Sequence, residues 1–157
     1  MWKRVCLDYP KATLSIVGKG DNKIKKELKR QILLNNLENN ILLLGYLTSY
    51  ESLSIIKSSK CFLFPSHEEG WGIAIAEAMA CKIPVISWDL PVYKDVFKNY
   101  TCQIEENNIN LFANKVIQLL KYENKRIKIA NKGYNFIKKY SWDKVAKKEF
   151  KIIKIII

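Results

Sequence analysis

The sequence lacks several features that would define other classes of protein. Its 157 residues contain no run of about 18 apolar residues, so we expect no membrane-spanning helix. The N-terminal segment MWKRVCLDYPK has no uninterrupted apolar core of the kind a signal peptide carries. With one histidine and four cysteines that form no C-x-x-C pair, we expect no metal site. These absences favour a cytoplasmic protein with reduced thiols.

Positive charge is abundant, because 27 lysines and arginines outnumber 15 acidic residues and leave a net charge of +12. Such a surface attracts polyanions in general. However, nearly all of this charge is lysine spread along the chain, with neither an arginine cluster nor an RNA-binding aromatic motif. We therefore expect no specific recognition of nucleic acid. The charge is also compatible with a peripheral contact to acidic lipid at the inner face of the membrane, and this alternative is kept.

Short apolar runs alternate with segments of helical periodicity along most of the chain. Continuously apolar strands separated by helices predict an α/β fold, a Rossmann-like parallel sheet with helices on both faces. The length predicts a single domain over 1–157, with a core at about 5–140 and a C-terminal helix at about 141–152 that ends a helical tail. The predicted strands are 13–17, 41–44, 61–64, 85–88 and 102–104, and the predicted helices are 21–36, one from 49, 111–122, 125–139 and one after 141.

The stretch that carries chemistry is residues 65–84, PSHEEGWGIAIAEAMACKIP. It follows a strand and opens a helix, which places its loop at the carboxyl edge of the sheet, where open α/β folds bind ligands. Gly70 and Gly72 flank Trp71 and let the backbone approach a ligand closely. The free N–H groups at the start of the next helix suit a phosphate or a pyrophosphate.

Two glutamates accompany this helix start. Glu77 is the one charge in a helix that is apolar or small all round, so we expect it to be buried and to need a partner, such as two vicinal hydroxyls of a ligand. The alternative is a glutamate that is exposed or paired with a backbone N–H. Glu69 lies in the loop before the helix, where it would either face the ligand or simply complement the helix dipole.

These residues resemble the retaining glycosyltransferases of GT-B family four, the glycosyl transferases group 1. The family's pattern, P-S-x-x-E-G-[FW]-G-x-x-x-x-E-A-M-A-x-G-x-P-V-I, matches this chain over residues 65–86 with a correct strand–loop–helix context. Three flanking segments are similar to the family as well, so that the resemblance covers about residues 5–150. They are ATLSIVGKG at 12–20, ILLLGYL at 41–47 and the Tyr–Ser–Trp triplet at 140–142.

The resemblance implies one half of a GT-B fold, the C-terminal domain that binds a nucleotide-sugar donor, UDP- or GDP-linked, without a further cofactor. By it, Glu69 contacts the donor sugar near the reacting carbon and is the catalytic candidate, while Glu77 holds the ribose hydroxyls. The other donor-binding candidates are residues whose backbone would contact the sugar, the phosphates or the base, together with a glycine in the turn after the first strand. They are Gly70, Trp71, Gly72 and Ile73 in the loop and helix start, Tyr46 and Leu47 after the second strand, and Gly18 after the first.

Two departures from the family pattern affect these expectations. Lys82 stands where the family commonly has glycine, so the turn before Pro84 must tolerate a side chain. In the family, a strand and a loop with an Arg and a Lys that grip the diphosphate precede this segment, and an N-terminal domain binds the acceptor. The chain is thus expected to need that domain or a partner chain. The alternative is a non-catalytic subunit that binds a nucleotide-sugar.

Overall fold

A computed structural model of the chain describes residues 1–156 and contains eight α-helices and five strands over that range. The predicted strands and helices occur in the predicted order, and their boundaries differ from the prediction by at most two residues, except that the last helix ends at Ile156 instead of about 152. The strands are β1 (Leu14–Val17), β2 (Ile41–Gly45), β3 (Phe62–Phe64), β4 (Val85–Trp88) and β5 (Cys102–Ile104). The helices are α1 (Trp2–Asp8), α2 (Asn22–Leu34), α3 (Ser49–Ser58), α4 (Ile73–Ala80), α5 (Pro91–Val96), α6 (Ile109–Lys121), α7 (Glu123–Ile137) and α8 (Trp142–Ile156).

All strand pairs are parallel, which confirms the predicted α/β class. Hydrogen bonds divide the strands into two groups, with the orders β1–β2 and β3–β4–β5. Within residues 1–156, β4 is paired on both edges, and each of the other four strands is paired on one edge only. Helices bridge the two groups. α1 packs against α6, where the Arg4 guanidinium donates to Asn114 Oδ1 at 2.9 Å and 3.2 Å, and α3 packs against α4.

The hydrophobic core is concentrated around β4. All four residues of this strand are buried, as expected of a strand covered by helices on both faces. The indole of Trp88 packs edge-on against Phe112 of α6, with ring centroids 4.7 Å apart. The other large, fully buried side chains come mostly from the helices around this strand. They include Ile75, Met79, Tyr93, Phe97, Val116 and Leu119.

Two helices, α1 and α5, were not predicted. α1 buries only Trp2 and Val5, and so few apolar residues give no helical periodicity in the sequence. α5 is six residues long and starts with Pro91, a residue that favours the first helical turn because its missing N–H needs no partner there. Such short helices are stabilised by packing rather than by their own sequence.

The four cysteines carry free thiols and are half-buried. Burial raises the pKa of Cys61 to about 11, so this thiol stays protonated at neutral pH.

The chain ends in α8, which continues the predicted C-terminal helix as far as Ile156. Every described side chain from residue 138 to residue 155 is exposed, including Trp142 and Phe150. Lysines lie on one side of α8 and most of its apolar residues on the other, in the pattern of an amphipathic helix. Within residues 1–156, no helix has the length and apolar character needed to cross a membrane.

Candidate functional site

The loop between β3 and α4, residues 65–72, is held in place by its aromatic and glycine residues. Trp71 packs edge-on against Phe97 and Tyr140, with ring centroids 5.4 Å and 5.9 Å away. Gly72 is buried and has a φ of 95°, a left-handed conformation that glycine adopts without strain. A Cβ at this position would lie 3.0 Å from Phe97 and 3.2 Å from Tyr93. The loop therefore requires glycine at position 72.

The first turn of α4 presents backbone donors without a protein cap. Gly72 is the N-cap residue, and as a glycine it has no side chain that could accept a hydrogen bond from the helix start. Its carbonyl oxygen accepts from the N–H groups of Ile75 and Ala76 at 3.0 Å and 3.2 Å. The N–H groups of Ile73 and its neighbour Ala74 precede these and need a partner from outside the helix. Together with the positive end of the helix dipole, they suit an anionic group.

Glu69 is half-buried in the loop ahead of this helix start. Its negative charge raises the pKa of the buried Tyr93, although the larger cause is the burial of the phenol itself. Glu69, Gly70, Trp71, Gly72 and Ile73 are consecutive, so the structure brings five of the predicted site residues together at one loop. Glu69 and the free N–H groups therefore belong to one short segment at the carboxyl end of β3.

The expectation that Glu77 is buried is wrong. The side chain is exposed, on the same side of α4 as Ile73 one turn earlier, which is 59% exposed. The composition of α4 was misleading because small alanines lie next to solvent as well as in the core, where Ile75, Ala78 and Met79 are buried. Because the Glu77 carboxylate is exposed to solvent, it does not need a partner within the protein to compensate for burial. It remains accessible to a ligand on the exposed side of α4.

The remaining site residues lie at the carboxyl edge of the other strand group. The N–H of Gly18 donates to the carbonyl oxygen of Gly45 at 2.7 Å, which brings the turn after β1 next to the end of β2. Tyr46 follows and is 75% exposed, and Leu47 is half-buried. Thr48 then caps α3. Both groups of site residues therefore follow the carboxyl ends of parallel strands, but they belong to different hydrogen-bonded sheets.

A polar network that the sequence did not reveal ties the carboxyl ends of β3, β4 and β5 together. His67 Nδ1 lies 2.5 Å from Glu106 Oε1, and the N–H of Glu106 donates to Asp89 Oδ1 at 3.0 Å. Lys94 forms an ion pair with Asp89 at 3.0 Å, and its hydrogen bond is the main reason that the pKa of Asp89 is lowered. These residues are far apart in the sequence, so only the fold shows their contact.

No cluster of three histidine, cysteine or acidic side chains suited to a metal ion occurs within residues 1–156. An apolar concavity of about 130 Å³ lies at the amino end of β2, lined by residues such as Trp2, Ile32 and Ile41. It contains none of the predicted site residues, which lie instead on an open surface at the opposite strand ends.

Lys82 adopts the conformation that the family's glycine would supply. Its φ is 58°. Two backbone hydrogen bonds close the C-terminus of α4: the N–H of Lys82 donates to the carbonyl oxygen of Met79, and the N–H of Ile83 donates to that of Ala78, each at 3.0 Å. This is the Schellman pattern of a helix C-terminus. The ammonium lies 4.7 Å from the ring centre of Tyr134 on α7, a cation–π contact. The turn therefore keeps its geometry with a lysine in the left-handed position.

Comparisons with known proteins identify the family of this chain. Residues 1–136 match the model of the family described as glycosyl transferases group 1. The chain belongs to this family.

Among curated relatives, an uncharacterised glycosyltransferase of Methanocaldococcus jannaschii is 33% identical over 127 residues, which cover 80% of this chain and 36% of the relative. The poly(ribitol-phosphate) alpha-N-acetylglucosaminyltransferase of Staphylococcus aureus is 31% identical over 134 residues, 82% of this chain and 27% of that protein. The chain thus spans about a third of the length of these relatives. A crystal structure of a variant of S. aureus TarM with fondaparinux, alpha-GlcNAc-glycerol and UDP superposes with a TM-score of 0.85 at 27% identity, over 95% of this chain and 30% of that one.

Proposed function

We propose that this chain is the C-terminal, donor-binding domain of a glycosyltransferase that moves a sugar from a nucleotide-sugar to an acceptor with retention of configuration. The observation that carries the proposal is the uncapped N-terminus of α4, which follows the buried, left-handed Gly72 and the half-buried Glu69. This arrangement offers backbone donors for phosphates and a carboxylate beside them. The family membership supports the same function.

In this proposal, the N–H groups from Gly70 to Ile73 bind the diphosphate and the sugar hydroxyls. Glu69 contacts the sugar near the reacting carbon, and the exposed Glu77 binds the ribose hydroxyls. Gly18, Tyr46 and Leu47 contact the base and its surroundings through the backbone. UDP is the favoured nucleotide because the TarM variant, at 27% identity, is described in complex with UDP. No metal or organic cofactor is needed in this scheme.

The test uses the whole protein that contains this chain, because catalysis in the proposal requires an acceptor-binding domain. Purified protein is incubated with UDP-linked and GDP-linked sugars, and nucleotide release is measured with and without EDTA. Glu69→Gln is expected to lower kcat by about 10²–10³-fold, the range seen when one transition-state contact is removed. Glu68→Gln is the matched control, since this neighbouring carboxylate is exposed and has no role in the proposal.

Glu77→Gln is expected to raise the Kd for UDP, measured by calorimetry, while Glu68→Gln leaves it unchanged. NMR of the product's anomeric proton decides between retention and inversion. Nucleotide binding without any transfer would favour the alternative, a non-catalytic nucleotide-sugar-binding subunit. If no nucleotide-sugar binds to the whole protein, the donor-site assignment is wrong.

The basic, amphipathic α8 supports a peripheral contact with acidic membrane lipid, which would place the protein at the inner face of the membrane. Its exposed apolar residues include Trp142, Phe150 and Ile153, and its lysines face the other side. Such a helix binds in the plane of an anionic surface. The protein is therefore expected to sediment with vesicles containing phosphatidylglycerol but not with pure phosphatidylcholine vesicles. If it sediments with neither, the proposed lipid contact is wrong.

A further inference from the structure

The side chain of Tyr93 lies directly beneath the loop that carries Glu69. Tyr93 is the third residue of α5 and is fully buried. Its ring packs against the backbone of Gly72, because a Cβ on that glycine would lie 3.2 Å from Tyr93 Cε1. Phe64 and Phe97 surround the ring, with centroids 6.5 Å and 6.0 Å away. Tyr93 therefore forms part of the floor under the start of α4.

The hydroxyl of Tyr93 is not explained by this packing. It is one of three buried polar side-chain groups, over residues 1–156, that have no hydrogen-bond partner in the free chain. The neighbouring rings at positions 64 and 97 are phenylalanines, so phenylalanine would fill the same place without an unsatisfied oxygen. A buried hydroxyl without a partner costs about 1–3 kcal/mol. A hydroxyl at this place beneath a candidate active site therefore points to a partner that it gains during function.

The acidic group that affects this hydroxyl is Glu69. Burial raises the pKa of Tyr93 to about 12, and the negative charge of Glu69 adds to the effect. The phenol is thus protonated at neutral pH and available as a donor. Tyr93 packs beneath Gly72, three residues after Glu69 in the same loop, and a hydroxyl that donates to a carboxylate forms a short, strong hydrogen bond.

We propose that Tyr93 is a positioning residue, whose buried hydroxyl donates a hydrogen bond to the Glu69 carboxylate when the donor sugar occupies the site and thereby fixes that carboxylate toward the sugar. The role rests on the proposed function. It acts through Glu69 rather than through the nucleotide. Replacement of the hydroxyl should therefore affect turnover more than nucleotide affinity.

The test is Tyr93→Phe in the whole protein, which removes one oxygen and keeps the ring. We expect kcat to fall by about 10-fold to 100-fold, as for loss of a hydrogen bond to a charged group. The Kd for UDP should stay unchanged, and Tm should stay equal or rise because the unsatisfied hydroxyl is gone. Tyr100→Phe is the matched control. Tyr100 is half-buried, its ring stacks on Phe136 at 4.1 Å, and loss of its hydroxyl should leave kcat unchanged.

A double-mutant cycle with Glu69→Gln separates positioning from a structural role. If Tyr93 acts through Glu69, Tyr93→Phe should lower kcat no further in the Glu69→Gln background. An unchanged kcat in Tyr93→Phe, or a fall in both Tm and kcat that persists without Glu69, overturns the role while the proposed function stands. A wild-type protein that neither binds UDP nor transfers sugar overturns the proposed function and this role with it.

Discussion

The two strand groups of this chain differ in how completely they are packed. In the β3–β4–β5 half, every residue of β4 is buried, and Tyr93 and Phe97 close the core beneath the loop. In the β1–β2 half, most strand residues are half-exposed, and α2 buries only Ile32. The half with Glu69 can therefore hold functional groups rigidly, as a catalytic site requires. The half with Gly18, Tyr46 and Leu47 gains less stability from its own packing.

The largest expected difference between the halves concerns core truncation. Ile86→Ala on β4 should lower the free energy of unfolding by about 2–5 kcal/mol, because Ile86 is fully buried and the cavity cannot collapse easily. Leu42→Ala on β2 should cost within about 0.5 kcal/mol, since this side chain is 46% exposed. Urea unfolding followed by circular dichroism measures both. Equal losses would show that the two halves are packed alike.

A smaller effect is expected within the site loop itself. Gly72→Ala should destabilise the chain by about 1–3 kcal/mol, because a side chain at a φ of 95° is strained and also meets Phe97. Gly70→Ala is the control, as no atom lies within 4 Å of the added Cβ. Its effect on stability should stay within about 0.5 kcal/mol. Thermal unfolding of both variants makes the comparison, and a Gly72→Ala protein as stable as the control would contradict the tight packing of the loop.

The smallest effect concerns two of the helix ends that place a non-glycine residue at positive φ, one taken from each half. Lys82 after α4 has a φ of 58°, and Asn36 after α2 has a φ of 54°. Lys82→Gly should raise stability by about 0.5 kcal/mol, since relief of the left-handed strain exceeds the lost cation–π contact with Tyr134.

Asn36→Gly serves as the matched variant for this comparison. It should change stability less, because asparagine tolerates the left-handed region better than lysine does. Tm measured by calorimetry distinguishes the two. A loss of stability in Lys82→Gly would mean that the contact with Tyr134 outweighs the strain.

Much of the fold could be predicted because its signals are local. β1, β2 and β3 are short, largely apolar runs closed by glycine or proline, and the Asp21 carboxylate caps α2 as expected, accepting from the N–H of Ile24 at 2.7 Å. The loop 65–72 was placed correctly between a strand and a helix. By contrast, α1 and α5 were missed because their few apolar residues show no periodicity, and the burial of Glu77 was wrong because alanine-rich composition does not tell which face meets solvent.

Tyr93 shows why part of the site could not be predicted. It lies in α5, 24 residues after Glu69 in the sequence, and no spacing or motif connects the two. The same holds for the contact between His67 and Glu106, which depends on β3, β4 and β5 lying side by side. The roles assigned to Glu69, Glu77 and the donor-binding backbone groups stay predictions until the binding and transfer experiments are done.

The amino-acid sequence by itself determined the order of the five strands and the longer helices, the family pattern, and the loop and helix start with their two glutamates. These features follow from residue types at short separations, where turn preference, capping and apolar periodicity act directly. The tertiary structure alone decided that Glu77 is exposed, that the strands form two hydrogen-bonded groups, and that the Tyr93 hydroxyl lies buried beneath the loop that carries Glu69. Burial and long-range contact depend on how distant segments pack together, and no local pattern contains that information.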